Sequence, residues 1–168
     1  MANTYTLIAS STVGAGGSSA ITFSSIPSTF TDLCLKVSAR ADAATVAMVA
    51  TFNGSTSGYS NKRLYGTGSS AASDSYLTTG IICVLCNDST YTANTFANGE
   101  MYIPNYAGST YKSASLDGVS ENNATTAYAM LTAGLWSNTA AITSITLTPT
   151  SGNLVQYSTA YLYGISKS

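Results

Sequence analysis

The sequence predicts an all-β chain folded as one antiparallel β-sandwich domain, and three observations carry that prediction. Apolar and polar residues alternate with period two from end to end, the rhythm of strands with two distinct faces. Clusters of Gly, Asn, Ser and Pro cut the alternation into many short segments, the spacing of a sandwich or jelly roll. Helix signals are weak. The alanine-rich "ADAATVAMVA" and "TTAYAMLTAGL" have the propensity, but their β-branched residues, dense turns and lack of charged i,i+4 pairs favour strand. At 168 residues the chain fits a single domain, 1–168, long enough to bury roughly 70% of its unfolded surface without metal or disulfides.

In chain order, "TYTLIAS" and "SAITFSS" are the first strands, and the glycine-rich "TVGAGG" between them reads as a hairpin loop or flexible connection. "IPSTFTD" turns into "DLCLKVSAR", where Leu33, Leu35, Val37 and Ala39 share one face while Cys34, Lys36, Ser38 and Arg40 share the other. "TVAMVATF" ends at "NGS", a hairpin signal. From Ser55 to Ser75 the period is weakest, and a short strand is expected around Lys62 to Tyr65 within long loops. "YLTTGIICVLC", "FANGEMYIP", "TYKSASLDGVS", "TAYAMLTAGLW", "SITLTP" and "VQYSTAYLYGI" complete the series. The expected core comprises Leu7, Ile21, Phe23, Leu33, Leu35, Val37, Phe52, Leu131, Leu135, Leu147 and Leu162.

Charge narrows the function. Asp, Glu, Lys and Arg make up 8% of the chain, against roughly 25% in an ordinary soluble domain. The six Lys and Arg are scattered and form no basic stripe, so nucleic acid is not an expected partner. The longest apolar run, Ile81 to Cys86, is strand-sized, so no membrane span is expected. "MANTYTLIASS" has neither a basic start nor a sustained apolar core, so no secretory signal is expected either. Cys34, Cys83 and Cys86, an odd count, then read as reduced thiols of a cytoplasm.

No catalytic, cofactor or metal site is expected. The chain has no histidine, which removes Ser-His-Asp and Cys-His arrangements and histidine-based zinc binding. Cys83 and Cys86 form a C-x-x-C inside a strand-like run, where residues three apart face opposite sides, so core packing is the better reading. Asp117 and Glu121 share a strand face by spacing and Glu100 belongs to another strand. They are the carboxylates that glycoside hydrolysis would need, but solvated surface charge is the default.

Aromatics are more informative. Twelve tyrosines and the single Trp136 exceed what a core of this size needs, and Tyr suits protein contacts or stacking on sugar rings. Tyr102, Tyr106 and Tyr111 fall within "GEMYIPNYAGSTYKS". Interface or carbohydrate contact there competes with the ordinary reading of half-buried strand tyrosines. In "STAYLYGISKS", Tyr161, Tyr163 and Ile165 alternate with Ala160, Leu162 and Gly164, so both faces of the last strand are largely apolar. "AMVATF", "IICVLC" and "AYAMLTAGLW" behave alike. A monomeric sandwich dresses its wet faces with charge, so other subunits are expected to cover part of this surface. Tyr102, Tyr106, Tyr111, Trp136, Tyr161 and Tyr163 are the candidate interface residues.

"YTLIASSTVGAGGSSAITFSSIPSTFTDLCLKVSAR" at the start and "STAYLYGISKS" at the end resemble a family of small virion proteins of tailed bacteriophages, notably cyanophages. "NGEMYIPNYAG" and "SENNATTAYAMLTAGLWSNTAAITSITLTPTSGNLVQYSTA" are similar to it too; Ser55 to Asn94 is the weak region. The resemblance implies a jelly-roll sandwich on the virion, assembled in the host cytoplasm, and supplies no catalytic or ligand residues; the thin stock of chemical groups is what makes enzymatic activity and a cofactor unexpected. The resemblance does not fix which part of the virion. A short chain with no fibre-like repeat, no coiled-coil heptads and no extended linker favours capsid cement (decoration) protein, with the major capsid protein and other copies of itself, a trimer at capsid three-fold positions, as partners. The alternative role is a tail or fibre module that binds host carbohydrate. The terminal strand is further expected to lie antiparallel beside "TYTLIAS" in the middle of the sandwich.

Overall fold

Among the described residues twelve strands account for the regular structure: β1 (Tyr5–Thr12), β2 (Ile21–Phe23), β3 (Asp32–Ala39), β4 (Ala47–Phe52), β5 (Tyr59–Gly66), β6 (Ala71–Tyr76), β7 (Ile81–Leu85), β8 (Ala97–Pro104), β9 (Lys112–Ser120), β10 (Tyr128–Trp136), β11 (Ile145–Pro149) and β12 (Thr159–Ile165). The computed structural model describes residues 4–44, 47–76, 79–123 and 127–166, and no helix occurs among them. The strand residues expected at Thr45, Val46, Leu77, Thr78, Thr125 and Thr126 lie outside the described residues.

Two antiparallel sheets pack face to face. The larger has the order β1-β12-β3-β8-β9-β10-β5-β6, the smaller β2-β11-β4-β7. Within them, β1-β12-β3-β8 and β2-β11-β4-β7 form the two four-stranded sheets of a jelly roll, strands 1-8-3-6 facing 2-7-4-5 once the eight are counted in chain order. The β5-β6 and β9-β10 hairpins are additions. They pair with each other through β5 and β10, and with the jelly roll through β8 and β9, so they widen one sheet. A predicted short strand at Lys62–Tyr65 is therefore the middle of a full hairpin arm.

Most connections cross between sheets, which corrects two hairpin expectations. Asn53 and Gly54 do form a tight turn with positive φ at both residues (52° and 69°), but it carries the chain from β4 in the small sheet to β5 in the large one. Asn53 anchors that crossover: its Oδ1 accepts from the Thr143 and Ser144 amides at 2.8 and 3.1 Å, and its Nδ2 donates to the Ala141 carbonyl at 2.8 Å. "TVGAGG" likewise links β1 to β2 across the sandwich.

Close approach of the sheets explains the small residues on the inner face. Strand β7 packs over β8, β9, β10 and β5. Gly99 and Gly118, paired across β8 and β9, face Cys83 and Val84, while Gly134 faces the fully buried Ile81. Asn61 of β5 ties the layers together where they meet, donating to the Gly80 carbonyl and accepting from the Ile82 amide, both at 3.0 Å. Lys112, fully buried, donates its ammonium to the carbonyls of Gly108 (2.7 Å), Thr110 and Thr139 (3.4 Å). Desolvation pulls its pKa below the usual lysine value.

Strand β12 lies antiparallel to β1 as expected, but β1 is the sheet's outer edge rather than its middle. Of the expected core, Ile21, Phe23, Leu33, Leu35, Val37, Phe52, Leu147 and Leu162 are buried. Leu7 is exposed because the register shifts between Leu7 and Ala9, a bulge that leaves Leu7 outward while Ile8 and Ala9 pack on the core. Leu131 is exposed and Leu135 only half-buried because β10 turns its other face inward, with Met130, Thr132, Gly134 and Trp136.

Candidate interaction surface

Alternation and register together define the outer face of the large sheet, and the residues on it can be followed in rows across all eight strands. One row runs Leu7, Tyr163, Cys34, Tyr102, Ser115, Ala133, Lys62 and Ser75. The next runs Ser10, Tyr161, Lys36, Glu100, Asp117, Leu131, Leu64 and Ser73. A third ends in Asn98, Val119, Ala129, Gly66 and Ala71. Among the described residues the charges on this face are Asp32, Lys36, Lys62, Glu100 and Asp117, and Lys36 and Glu100 neutralise each other at 2.6 Å. The hydrogen bond from Lys36 holds the Glu100 carboxyl below the usual carboxylate range.

The face has two halves of different chemistry. Over the jelly-roll strands it is aromatic. Tyr161 and Tyr102 are exposed, Tyr163 is half-buried with Tyr5 edge-on to it at 6.3 Å, and Leu7 completes the row. Tyr102 is oriented by its hydroxyl, which donates to Asp32 Oδ2 at 2.8 Å, while Asp32 Oδ1 accepts from the Asn105 amide. That hydrogen bond is the main cause of the raised Tyr102 phenol pKa. Cys34, between Tyr163 and Tyr102 in the register, is fully buried, and desolvation pushes its thiol up to about 11.

Over the added hairpins the face is aliphatic. Leu64 (57% exposed), Leu131 (59%) and Val119, with Ala129 and Ala71, line a shallow hollow of about 420 Å³. The outer face of the small sheet contrasts with both halves. Thr22 and Thr146 share a hydroxyl hydrogen bond there at 3.2 Å, and Thr51 and Thr148 extend the hydroxylated surface.

Two of the candidate interface residues do not reach any surface. Trp136 is buried, stacked on Tyr59 at 6.0 Å and edge-on to Phe52 at 5.6 Å, in a cluster closed by the Phe52 amide donating to the Tyr59 hydroxyl. Tyr106 is fully buried and donates to the Pro27 carbonyl. Both are core residues, large rings at or just past a strand end that pack inside the sandwich. Tyr111 is exposed in the loop before β9, away from the tyrosine row. Leu64, Leu131 and Val119, which the sequence reading missed as surface residues, carry the aliphatic half. Their signal was present in strands apolar on both faces.

The carboxylates do not converge on a reaction centre. Glu100 and Asp117 are cross-strand neighbours on an open face, and Glu121 lies past the end of β9 with Oε1 accepting from the Asn123 amide. Glu100, with its lowered pKa, is poorly suited to general-acid work, which needs the opposite shift. Cys34, Cys83 and Cys86 are free and buried, and no group of three or more His, Cys, Asp or Glu able to hold a metal occurs among the described residues. No helix is long and apolar enough to cross a membrane among the described residues. Compared with known proteins, the chain matches no family model, no curated protein and no solved structure.

Proposed function

We propose that the chain is a non-enzymatic structural protein of a phage virion, a capsid cement subunit that binds the outer surface of the major capsid lattice and stabilises the head. The observation that carries this reading is the outer face of the large sheet, broad and rich in exposed tyrosine and aliphatic side chains beside its few charged residues. An exposed apolar surface of that kind marks a contact with other protein. Tyr102, Tyr161 and Tyr163 with Leu7 are the part assigned to the lattice, since rigid, half-polar rings give contact area at low entropic cost. The resemblance of both chain ends to small virion proteins supports a place on a virion.

Cement works by burying area across the seams between capsid subunits, which requires many identical copies and no chemistry. Gel densitometry of purified particles tests this: hundreds of copies, comparable to the major capsid protein, are expected. Tyr161→Asp should abolish binding of the purified protein to particles lacking it, with the fold intact. The second reading, a tail or fibre module binding host carbohydrate, draws on the same exposed tyrosines but loses Trp136, its best stacking platform, to the core. A few tens of copies per virion or fewer would favour it and refute the cement assignment.

A further inference from the structure

The aliphatic half of the large sheet has its own charge pattern. Lys62 on β5 and Asp117 on β9 stand on opposite sides of β10, diagonally across Leu131 and Ala133. Both are exposed, and neither forms an ion pair within the chain among the described residues. Lys62 is held over the face by a 2.7 Å hydrogen bond from its ammonium to Ser75 Oγ. Asp117 lies beside Glu100, whose charge is already matched by Lys36. One positive and one negative group therefore flank a patch that is otherwise apolar, at about equal distances from its centre.

That pattern is self-complementary. In an isologous contact each residue i meets j of the second copy while its own j meets the other's i. A two-fold axis lying in the contact plane and passing between Leu131 and Leu64 carries Lys62 over Asp117 of the second copy, and Asp117 over its Lys62. On the strand register the same rotation brings Leu64 opposite Leu131 of the second copy, so the apolar side chains around the two hollows face each other. No such match arises if the occupant is an arbitrary apolar surface, which would cover the lysine and the aspartate without counter-ions.

We infer that the outer face of β9-β10-β5-β6 pairs two copies of this chain face to face, with Leu64 and Leu131 at its centre and two reciprocal Lys62–Asp117 ion pairs at its rim. The contact uses the added hairpins and leaves the tyrosine half of the sheet free, so it stands whatever surface the tyrosines bind. It also replaces the trimer expected from sequence with a two-fold assembly.

Sedimentation velocity and light scattering of the purified chain test the inference. A dimer is expected at tens of micromolar. Leu131→Asp, at an exposed position, should weaken dimerisation at least tenfold without changing the far-UV circular dichroism spectrum. Lys62→Asp and Asp117→Lys should each weaken it by placing like charges face to face, and the double exchange should restore it, because both ion pairs re-form in reverse. That rescue is independent of any folding defect in the Leu131 variant. A monomer, a trimer, a dimer indifferent to Leu131→Asp, or charge reversals without rescue would each overturn the inference. So would a monomeric wild type whose Leu131→Asp variant alone fails to join virions, since the face would then be covered by another protein.

Discussion

Gly134→Ala tests the packing of the two sheets most directly. A Cβ at this position would stand 2.6 Å from Ile81 Cγ2 and 3.0 Å from its Cδ1, about 0.8 Å inside the 3.4 Å at which ordinary contact begins. Ile81 is fully buried on β7, so it has no open space to move into. Overpacking of a tight core costs about 1–3 kcal/mol. The lower backbone entropy of alanine in the unfolded chain returns about 0.5–1 kcal/mol, since glycine is the more costly residue to hold in a strand. The net loss is centred on about 1 kcal/mol and reaches at most about 2.5 kcal/mol, with Tm falling roughly 2–4 °C per kcal/mol for a domain of this size. Urea unfolding of the wild type, Gly134→Ala, Ile81→Ala and the double variant completes a thermodynamic cycle. Ile81→Ala alone should cost about 2–5 kcal/mol through its cavity. In the double variant the new methyl enters that cavity, so the combined loss should be smaller than the sum by about 1 kcal/mol or more. A Gly134→Ala variant as stable as wild type, or strictly additive losses, would refute the claim that β7 is seated against these glycines.

Trp136→Ala should destabilise the fold by about 3–5 kcal/mol, measured by denaturant unfolding, because it removes the ring packed between Tyr59 and Phe52; it should leave carbohydrate binding, if any is measured, to other residues. Lys112→Met keeps the aliphatic stem but strands the carbonyls of Gly108, Thr110 and Thr139, and should cost about 1–3 kcal/mol in the same assay. Burial raises the Cys86 thiol from 9.0 to about 12 and that of Cys34 to about 11, so the folded state keeps protons that the unfolded chain gives up. Their stabilisation is full below about pH 9 and is lost as pH rises from there toward 11–12, at about 1 kcal/mol per pH unit for each thiol. Denaturant midpoints measured from pH 8 to 10 should fall, and a Cys34→Ala, Cys86→Ala variant should fall less steeply.

The fold class was legible because strand alternation is a local property. β3 shows this best: Leu33, Leu35, Val37 and Ala39 face inward as the sequence places them. Partner choice was not legible, because it depends on which distant strand meets which. Asn53-Gly54 is a true turn in its backbone angles, yet no residue in it records that the next strand joins the other sheet. Nor does the weak period from Ser55 to Ser75 record that β5 finds its partner in β10, some seventy residues on. The facing of β10 fails for another reason. Both of its faces are apolar, so hydrophobicity alone does not choose between Leu131 and Met130. Trp136 and Gly134 decide it, one by filling the core and the other by yielding to Ile81. At Leu7 a single bulged residue shifts the alternation, and nothing in "TYTLIAS" marks the bulge.

The same ambiguity is what made the surface partly legible. A strand apolar on both faces hides its orientation but announces that neither face is meant for water alone. The tyrosines of β12 and β8 therefore survive as surface candidates, whereas Trp136 and Tyr106, singled out for ring type, belong to the core. Ring type says what a side chain can do, and strand phase says where it is. The added hairpins bring these points together. An eight-stranded jelly roll is complete without β5, β6, β9 and β10, so these strands are free of the need to close the barrel-like core. Their inner face still serves it through Asn61, Leu116 and Trp136, under β7. On their outer face Leu64, Leu131 and Val119 are left exposed among the described residues. Exposed leucines stabilise only what comes to cover them, and on the inferred contact Lys62 and Asp117 would each meet the other in a second copy.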